Sequence, residues 1–564
     1  MHPFFKRHFA APVVLALMAA LAACASGSDS PRSVGMDPAP KGPPKLIVAI
    51  SVDQFSADLF AQYRPRFTGG LARLEQGAVF PSGFQSHAAT ETCPGHSTLL
   101  TGVHPARSGI IANNWFDLST PRAEKKIYCA EDESDPASSS REPVVSAVHL
   151  KVPTLGDLMK AANPASRNVA VSAKDRAVMM MGGHKIDAAY WYLKGQFVTL
   201  KGRDISPAAV AQNAELAALI KKGAPALAAP AWCAAADRAV PVGKGQVGTG
   251  RFALEAGKPD SLRISPRMDA ATVALANRLV DELDLGKGAA ADVLSVSLSA
   301  TDYVGHATGT EGMEMCIQMA ALDQAIGQLL THLDARGIDY AVVLSADHGG
   351  LDMPERQREQ ALPRAVRADV NLSPQALGKA ISARTGITAG DGPLLYADGP
   401  FGDFYVSRSV SPAQKGQVVQ ALVSLARSHP QVAAAFTAEE LAKTPPPSGN
   451  PQDWSLKDRA RASFDPNRSG DVVILLDRAV TPIPEAIPGM YVATHGSAFD
   501  YDRRVPMLFW RRGLRGFEQP APVETVDIAP SLAALIGLAV PEGTFDGRCL
   551  DLDGGSGNTC EALK

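Results

Sequence analysis

The sequence carries no excess of basic residues. Lys and Arg number 55 against 58 Asp and Glu, a net charge of −3. A polyanion binder ordinarily shows a basic surplus, so nucleic acid is not expected as a dedicated partner. No two cysteines are spaced as Cys-x-x-Cys, which argues against a cysteine metal site. Internal repeats are missing from both segments that interrupt the strand pattern. The apolar run AAPVVLALMAALAA near the N-terminus is too short and too small-sided for a spanning helix. What remains is the composition of a globular protein, with 46% hydrophobic and 20% charged residues. Its 564 positions allow a large core plus insertions.

That apolar run follows Lys6 and Arg7 and ends Leu21-Ala22-Ala23-Cys24, a bacterial lipobox pattern. Residues 1–23 are expected to be a signal peptide, with Cys24 lipidated as a membrane tether. The alternative is an ordinary signal peptide cut at an A-x-A site. Residues 24–44 are rich in Ser, Gly and Pro and read as a flexible tether. Either reading places the mature protein outside the cytoplasm: in the periplasm, at the outer membrane, or secreted. Cys93, Cys129, Cys233, Cys316, Cys549 and Cys560 then remain. In an oxidising compartment an even count suggests disulfides, with the pairing open. Cys549–Cys560 is the favoured pair, as a loop closed near the C-terminus; buried free thiols are the alternative.

The organisation is clearest where apolar runs stop. LIVAISVDQF ends at Asp53, NVAVSAKDR at Lys174 and Arg176, DVLSVSLSATDYVGH at Asp302 and His306, and DYAVVLSADHGG at Asp347 and His348. Continuous β-branched runs of this kind read as strands buried on both faces of a sheet. Helical periods alternate with them. In GMEMCIQMAALDQAIGQLLTHLDARG, one stripe carries Met315, Met319, Leu322, Ile326, Leu329 and Leu333. The expected class is α/β, a central mostly parallel sheet sandwiched by helices. Segments at about 185–290 and 355–470 read as insertions into a catalytic domain spanning 45–564, the first as a cap over the site. In such sheets ligands bind beyond the carboxyl ends of the strands. One Asp there is usually a helix cap; four charged strand ends are harder to dismiss. Asp and His suit zinc, and Lys and Arg suit an anion.

The stretch HAATETCPGHSTLLTG holds six candidate nucleophiles: Thr90, Thr92, Cys93, Ser97, Thr98 and Thr101. Pro94 favours a helix start, so Thr92 is expected at a helix N-terminus, where the dipole favours an alkoxide and a phosphate. Ser97, Thr98 and Thr101 fall further along the helix. His96 reads as a packed histidine. His87, His104, His149 and His184 have no motif around them, and the methionines from Met179 onward read as core packing.

Taken in order, these residues resemble the alkaline phosphatase superfamily, in its threonine-nucleophile branch close to the nucleotide pyrophosphatase/phosphodiesterases. The matching elements are Asp53, Thr92-Cys93-Pro94-Gly95-His96 with Thr101-Gly102, GIIAN with Asn113, Asp302 with His306, Asp347-His348, and Thr494-His495-Gly496. The resemblance implies two zinc ions: one held by Asp302, His306 and His495, the other by Asp53, Asp347, His348 and the oxygen of Thr92. Two such metals suit in-line phosphoryl transfer. It further implies that Thr92 attacks phosphorus to give a phosphothreonine that water then opens. Asn113, Lys174 and Arg176 would bind the phosphate. Asp527, in VDIAPSL, reads as a helix cap rather than a ligand.

Other branches fit less well. Sulfatases use Cys-x-Pro-x-Arg, whereas Cys93 touches Pro94 directly and no Arg follows in place. Phosphoglycerate mutases of the superfamily use Ser and lack export signals. Diesterase members carry Thr-Phe-Pro-Asn-His, and this chain departs from that pattern. A Lys-x-Arg at the place of Lys174 and Arg176 belongs to monoesterase members, whose dianionic substrate has one more oxygen to bind. The resemblance therefore implies an exported alkaline phosphatase acting on small-molecule phosphate monoesters. A diesterase or nucleotide pyrophosphatase is the alternative, and a non-catalytic metal- or phosphate-binding lipoprotein a more distant one.

Overall fold

The computed structural model describes residues 42–561. The expected signal peptide 1–23, Cys24 and the tether up to 41 lie outside the described residues. Among the described residues no helix is long and apolar enough to cross a membrane.

A ten-stranded sheet forms the body. Its central strands, in spatial order, are Tyr340–Ser345, Leu46–Val52, Asp292–Leu298, Asn168–Ser172 and Ala188–Leu193, all parallel. Arg504–Arg511 pairs antiparallel with Tyr340–Ser345, and Gln196–Val198 antiparallel with Ala188–Leu193. The four runs that end in charged residues are thus neighbours. Every residue of Leu46–Val52, Asn168–Ser172, Asp292–Leu298 and Tyr340–Ser345 is buried. Alternate side chains go to opposite faces: Val48, Ile50 and Val52 enter one core, and Ile47 and Ala49 enter another. Each Val or Ile side chain so removed from water contributes about 1.5–3 kcal/mol, which is why the strands need no polar alternation.

Helices cover both faces. Met313–Ala335 buries Met315, Met319, Leu322, Ile326, Leu329 and Leu333 against the first of these cores. Arg267–Glu282 contributes Met268, Leu275, Ala276 and Leu279 to the same core. The second unit lies within 374–476. There a four-stranded antiparallel sheet, ordered Leu395–Tyr396, Gly402–Val406, Val472–Leu476 and Val432–Thr437, packs on helices Pro374–Thr385 and Pro412–Ser428.

The first insertion differs from its expected role. Residues 185–290 are in large part not a cap. They supply two strands of the main sheet, Ala188–Leu193 and Gln196–Val198, and a core helix. Their Ala-rich helices bury small side chains, which reads as low signal in sequence. The wall over the active site comes chiefly from elsewhere, through Asp398, Phe401, Tyr405 and Phe464 of the 355–470 segment and Ile487, Met490 and Tyr491 beyond it.

Three disulfides are present: Cys93–Cys129, Cys233–Cys316 and Cys549–Cys560. The last is the favoured short loop. The others join positions 36 and 83 residues apart. The run Met179, Met180 and Met181 is buried core. Asp527 occupies the N-cap position of the helix Ile528–Leu535, although its carboxylate makes no capping bond to that helix. Its carboxylate accepts the N–H of Glu524, closing the preceding short turn, and that of Arg548.

Candidate active site

Each strand end delivers its charged residue to the same edge. Asp53 follows Leu46–Val52, and Asp347 and His348 follow Tyr340–Ser345. Asp302 and His306 sit one turn apart on the helix Ala300–Thr308, directly after Asp292–Leu298. His495 arrives from a separate loop. Two groups result: Asp302, His306 and His495, and Asp53, Asp347 and His348, with the potential ligand atoms of each group within 4.8 Å of one another.

The histidines are oriented from behind. His306 Nδ1 meets the Ala493 carbonyl at 2.9 Å, His348 Nδ1 that of Gly349 at 2.9 Å, and His495 Nδ1 that of Thr90 at 2.7 Å. Donation of Nδ1–H to these carbonyls leaves each Nε2 lone pair facing the site, the tautomer that metal ligation requires. Burial holds the His348 and His495 rings below the usual histidine range, keeping them neutral. Asp347 Oδ1 accepts the Gln54 N–H at 3.1 Å. Gln54 achieves this with φ of 64°, a conformation costly for a non-glycine residue.

The residues fit metal ions on internal grounds. Asp53 Oδ1, Asp302 Oδ1 and His348 Nε2 are buried with no hydrogen-bond partner. Orphaned polar atoms of this kind are rare in folded proteins. Three buried carboxylates, Asp53, Asp302 and Asp347, face the single ammonium of Lys174. Burial, then the Asp302 and Asp347 charges, pushes Asp53 well above the ordinary carboxylate range. Cations would relieve that repulsion, and the oxygen and nitrogen donor set suits divalent metals.

Thr92 opens the helix Thr92–Thr101 and is fully buried. Pro94 is the third helical residue, not the first, so it tolerates its missing N–H within the first turn. Among the candidate hydroxyls of the stretch, four are occupied. Thr90 donates to Ser497 O, Ser97 to Pro94 O, Thr98 to Gly95 O and Thr101 to Ser97 O. Cys93 is in a disulfide. Thr92 Oγ1 alone makes no such donation. It accepts instead from Lys174 Nζ and Arg176 Nη2, each at 3.4 Å.

Lys174 links this hydroxyl to both acidic groups, 2.6 Å from Asp53 Oδ2 and 2.5 Å from Asp302 Oδ2. Burial opposes its charge, but Asp302 and Asp53 outweigh the penalty and raise its pKa. Asn113 is clamped from several sides. Its N–H donates to Glu91 Oε2 at 2.8 Å, its Oδ1 accepts from Cys93 N at 2.8 Å, and its carbonyl accepts from Cys129 N at 2.9 Å. With Oδ1 engaged, the side-chain amide N–H groups are left for the cavity that Asn113 lines.

Two glycines permit the close packing. A Cβ at Gly95 would lie 1.9 Å from the Asp347 carbonyl, so only glycine lets the Thr92 helix touch the Asp347 turn. A Cβ at Gly305 would lie 1.7 Å from Gln54 Oε1. His96 is packed between elements, its Nδ1 2.9 Å from Thr92 O and 3.1 Å from Asp347 Oδ2, and its Nε2 3.0 Å from Ser297 Oγ. Of the histidines without a motif, His104 meets Glu524 and Asp546, His149 lies beside Glu133 and His184 meets Asp157, whereas His87 reaches Gln85 through Nε2 and leaves its buried Nδ1 without a partner.

Sequence reasoning missed several residues here. Glu91 precedes the nucleophile candidate, and burial pushes its carboxyl up to about 7. Tyr303 carries Lys174 over its ring at 5.1 Å. Tyr491 stacks on His306 at 4.7 Å between centroids. Tyr303 follows Asp302 directly, so an aromatic beside a ligand was the one available signal. Above the site lies a cavity of about 740 Å³, lined by Asn113, Arg176, Asp302, His306 and His495 among others.

The sheet edge and its two acidic groups define a metal-dependent hydrolase with the alkaline phosphatase-like fold. The model of the type I phosphodiesterase / nucleotide pyrophosphatase family matches residues 47–498, and the chain belongs to that family. It is 54% identical to alkaline phosphatase PhoK of Sphingomonas sp, over 92% of this chain and 93% of that one. It is 50% identical to alkaline phosphatase PhoD of Zymomonas mobilis, over 92% and 89%. The crystal structure of wild-type alkaline phosphatase PafA shares the fold, with a TM-score of 0.78 at 24% identity, covering 90% of this chain and 98% of that one.

Proposed function

We propose that the protein is an alkaline phosphatase that hydrolyses small-molecule phosphate monoesters to an alcohol and phosphate at a site for two zinc ions. One observation carries the nucleophile: in a stretch of six candidates, only the Thr92 hydroxyl is free of a backbone acceptor and faces two cations. Asp302, His306 and His495 would hold one ion, and Asp53, Asp347, His348 and the Thr92 oxygen the other. Bound there, the ions supply Lewis acidity toward the attacking and leaving oxygens.

The chain's own groups do the rest. Thr92 Oγ1 attacks phosphorus, the bond from phosphorus to the ester oxygen breaks, and the alcohol leaves. The helix N-terminus favours the negative charge gathering at Thr92. Lys174, Arg176 and the Asn113 amide take up the non-bridging oxygens. Water then attacks the phosphothreonine, releasing phosphate and restoring Thr92.

The monoester reading rests on two cations at the nucleophile, Lys174 buried and Arg176 half-buried, more positive charge than a diester monoanion requires. A diesterase or nucleotide pyrophosphatase is the alternative that the family description keeps in view. Phosphate release from p-nitrophenyl phosphate, abolished by chelator and restored by zinc, is the expected result. Faster turnover of bis-p-nitrophenyl phosphate would favour the diesterase, and no turnover of either the non-catalytic lipoprotein.

We further propose export: a signal peptide over 1–23, lipidation of Cys24 and a tether over 24–44, placing the catalytic domain in the periplasm or at the outer membrane, or leaving it secreted. Three disulfides agree with an oxidising compartment. Cys24→Ser should move the protein from the membrane to the soluble fraction; an unchanged distribution would reject the lipid anchor.

A further inference from the structure

The segment 185–290 contributes little to the active-site cavity, and what it contributes is Arg263 with its neighbour Ile264. Arg263 ends the short helix Pro259–Arg263. Its guanidinium lies over the Tyr303 ring at 5.1 Å, and Lys174 Nζ lies 5.1 Å from the same ring. Two cations therefore meet at one aromatic side chain directly after Asp302.

Their engagement differs. Lys174 is shared between Asp53 and Asp302, and Arg176 faces Thr92. The carboxylates on the cavity wall are also occupied: Glu91 accepts Asn113 N, Asp398 pairs with Lys126, and Asp403 accepts Gly470 N. Among the described residues Arg263 has neither an ion pair nor a side-chain hydrogen bond. Arg263 is exposed, and a guanidinium resting on an aromatic face keeps its N–H fork available for bidentate capture of a phosphate. The cavity, at about 740 Å³, has room for more than one phosphoryl group.

We propose that Arg263 forms a second anion subsite, which selects substrates carrying a further phosphate beside the one transferred. The inference rests on the phosphatase reading above. With inorganic pyrophosphate, attack by Thr92 breaks the bridging P–O bond and releases phosphate where an ester would release an alcohol. Hydrolysis of the phosphothreonine then yields a second phosphate. Arg263 binds the group that leaves and is not a catalytic residue for p-nitrophenyl phosphate.

The test compares wild type, Arg263→Gln and Arg263→Lys on p-nitrophenyl phosphate, pyrophosphate and ADP. Loss of one charge-assisted contact should lower kcat/KM for pyrophosphate and ADP about 10- to 100-fold in Arg263→Gln, chiefly through KM. Turnover of p-nitrophenyl phosphate should change less than about twofold, which also certifies folding. Arg263→Lys should recover part of the loss. An equal effect on all three substrates, or none on pyrophosphate and ADP, overturns the subsite. So does a wild type that turns over p-nitrophenyl phosphate but neither of the others, and that outcome leaves the phosphatase reading standing. Failure on p-nitrophenyl phosphate itself rejects the phosphatase reading instead.

Discussion

Replacing Arg176 by Gln removes one cation from the nucleophile while leaving both acidic groups untouched. Its Nη2 lies 3.4 Å from Thr92 Oγ1, and it forms no ion pair with Asp53, Asp302 or Asp347. Lys174 lacks that isolation, because its loss would also uncover two buried carboxylates. A charge-assisted hydrogen bond to a phosphate oxygen contributes about 1.5–3 kcal/mol. At constant metal content, kcat/KM for p-nitrophenyl phosphate should therefore fall about 10- to 150-fold. A diester presents one charged oxygen fewer, so bis-p-nitrophenyl phosphate should lose only about 2- to 5-fold. Steady-state kinetics on the two substrates, with zinc measured on the same preparations, reads the difference. Equal losses would refute a dianion-specific role for Arg176 and point to a diesterase.

Two further predictions concern the frame around the site. His104 is raised to about 9: burial opposes its charge, but hydrogen bonds to Asp546 and Glu524 prevail. Its ring is 14% exposed. The protonated form contributes at most about 3 kcal/mol, in full below about pH 6.5 and lost as pH rises through about 9. The gap in urea midpoint between wild type and His104→Gln should accordingly close between pH 6 and pH 10, whereas a constant gap would contradict the shift. Cys129→Ser opens a loop of 36 residues, for a cost of about 3–4 kcal/mol, and loosens Asn113, which bonds both Cys93 N and Cys129 N. Thermal stability should drop and KM for p-nitrophenyl phosphate rise; an unchanged KM would detach the disulfide from substrate binding.

The parts of the site legible in sequence share a physical cause. Asp53, Lys174, Asp302 and Asp347 follow unbroken runs of buried residues, and parallel pairing forces such strands to end on one edge. Cys549–Cys560 was readable because an 11-residue separation closes easily. The pairs Cys93–Cys129 and Cys233–Cys316 were not, since distant cysteines meet only through the tertiary fold. The 185–290 segment misled because small side chains fill its helices: Ala208 and Ala209 are buried, yet they carry little hydrophobic pattern. Glu91 and Arg263 were invisible for a different reason. A single charged residue outside a strand end looks like any solvated one until the cavity that it faces is known.

Phosphate is expected to pass through Thr92 on its way from ester to water. Rapid acid quench of the enzyme with p-nitrophenyl phosphate, followed by peptide mass spectrometry, tests it directly. Phosphate is expected on the peptide containing Thr92, localised to that residue and absent in Thr92→Ala, which should retain its zinc and lose turnover. Phosphate on Ser97 or Thr90, or full turnover by Thr92→Ala, would contradict it.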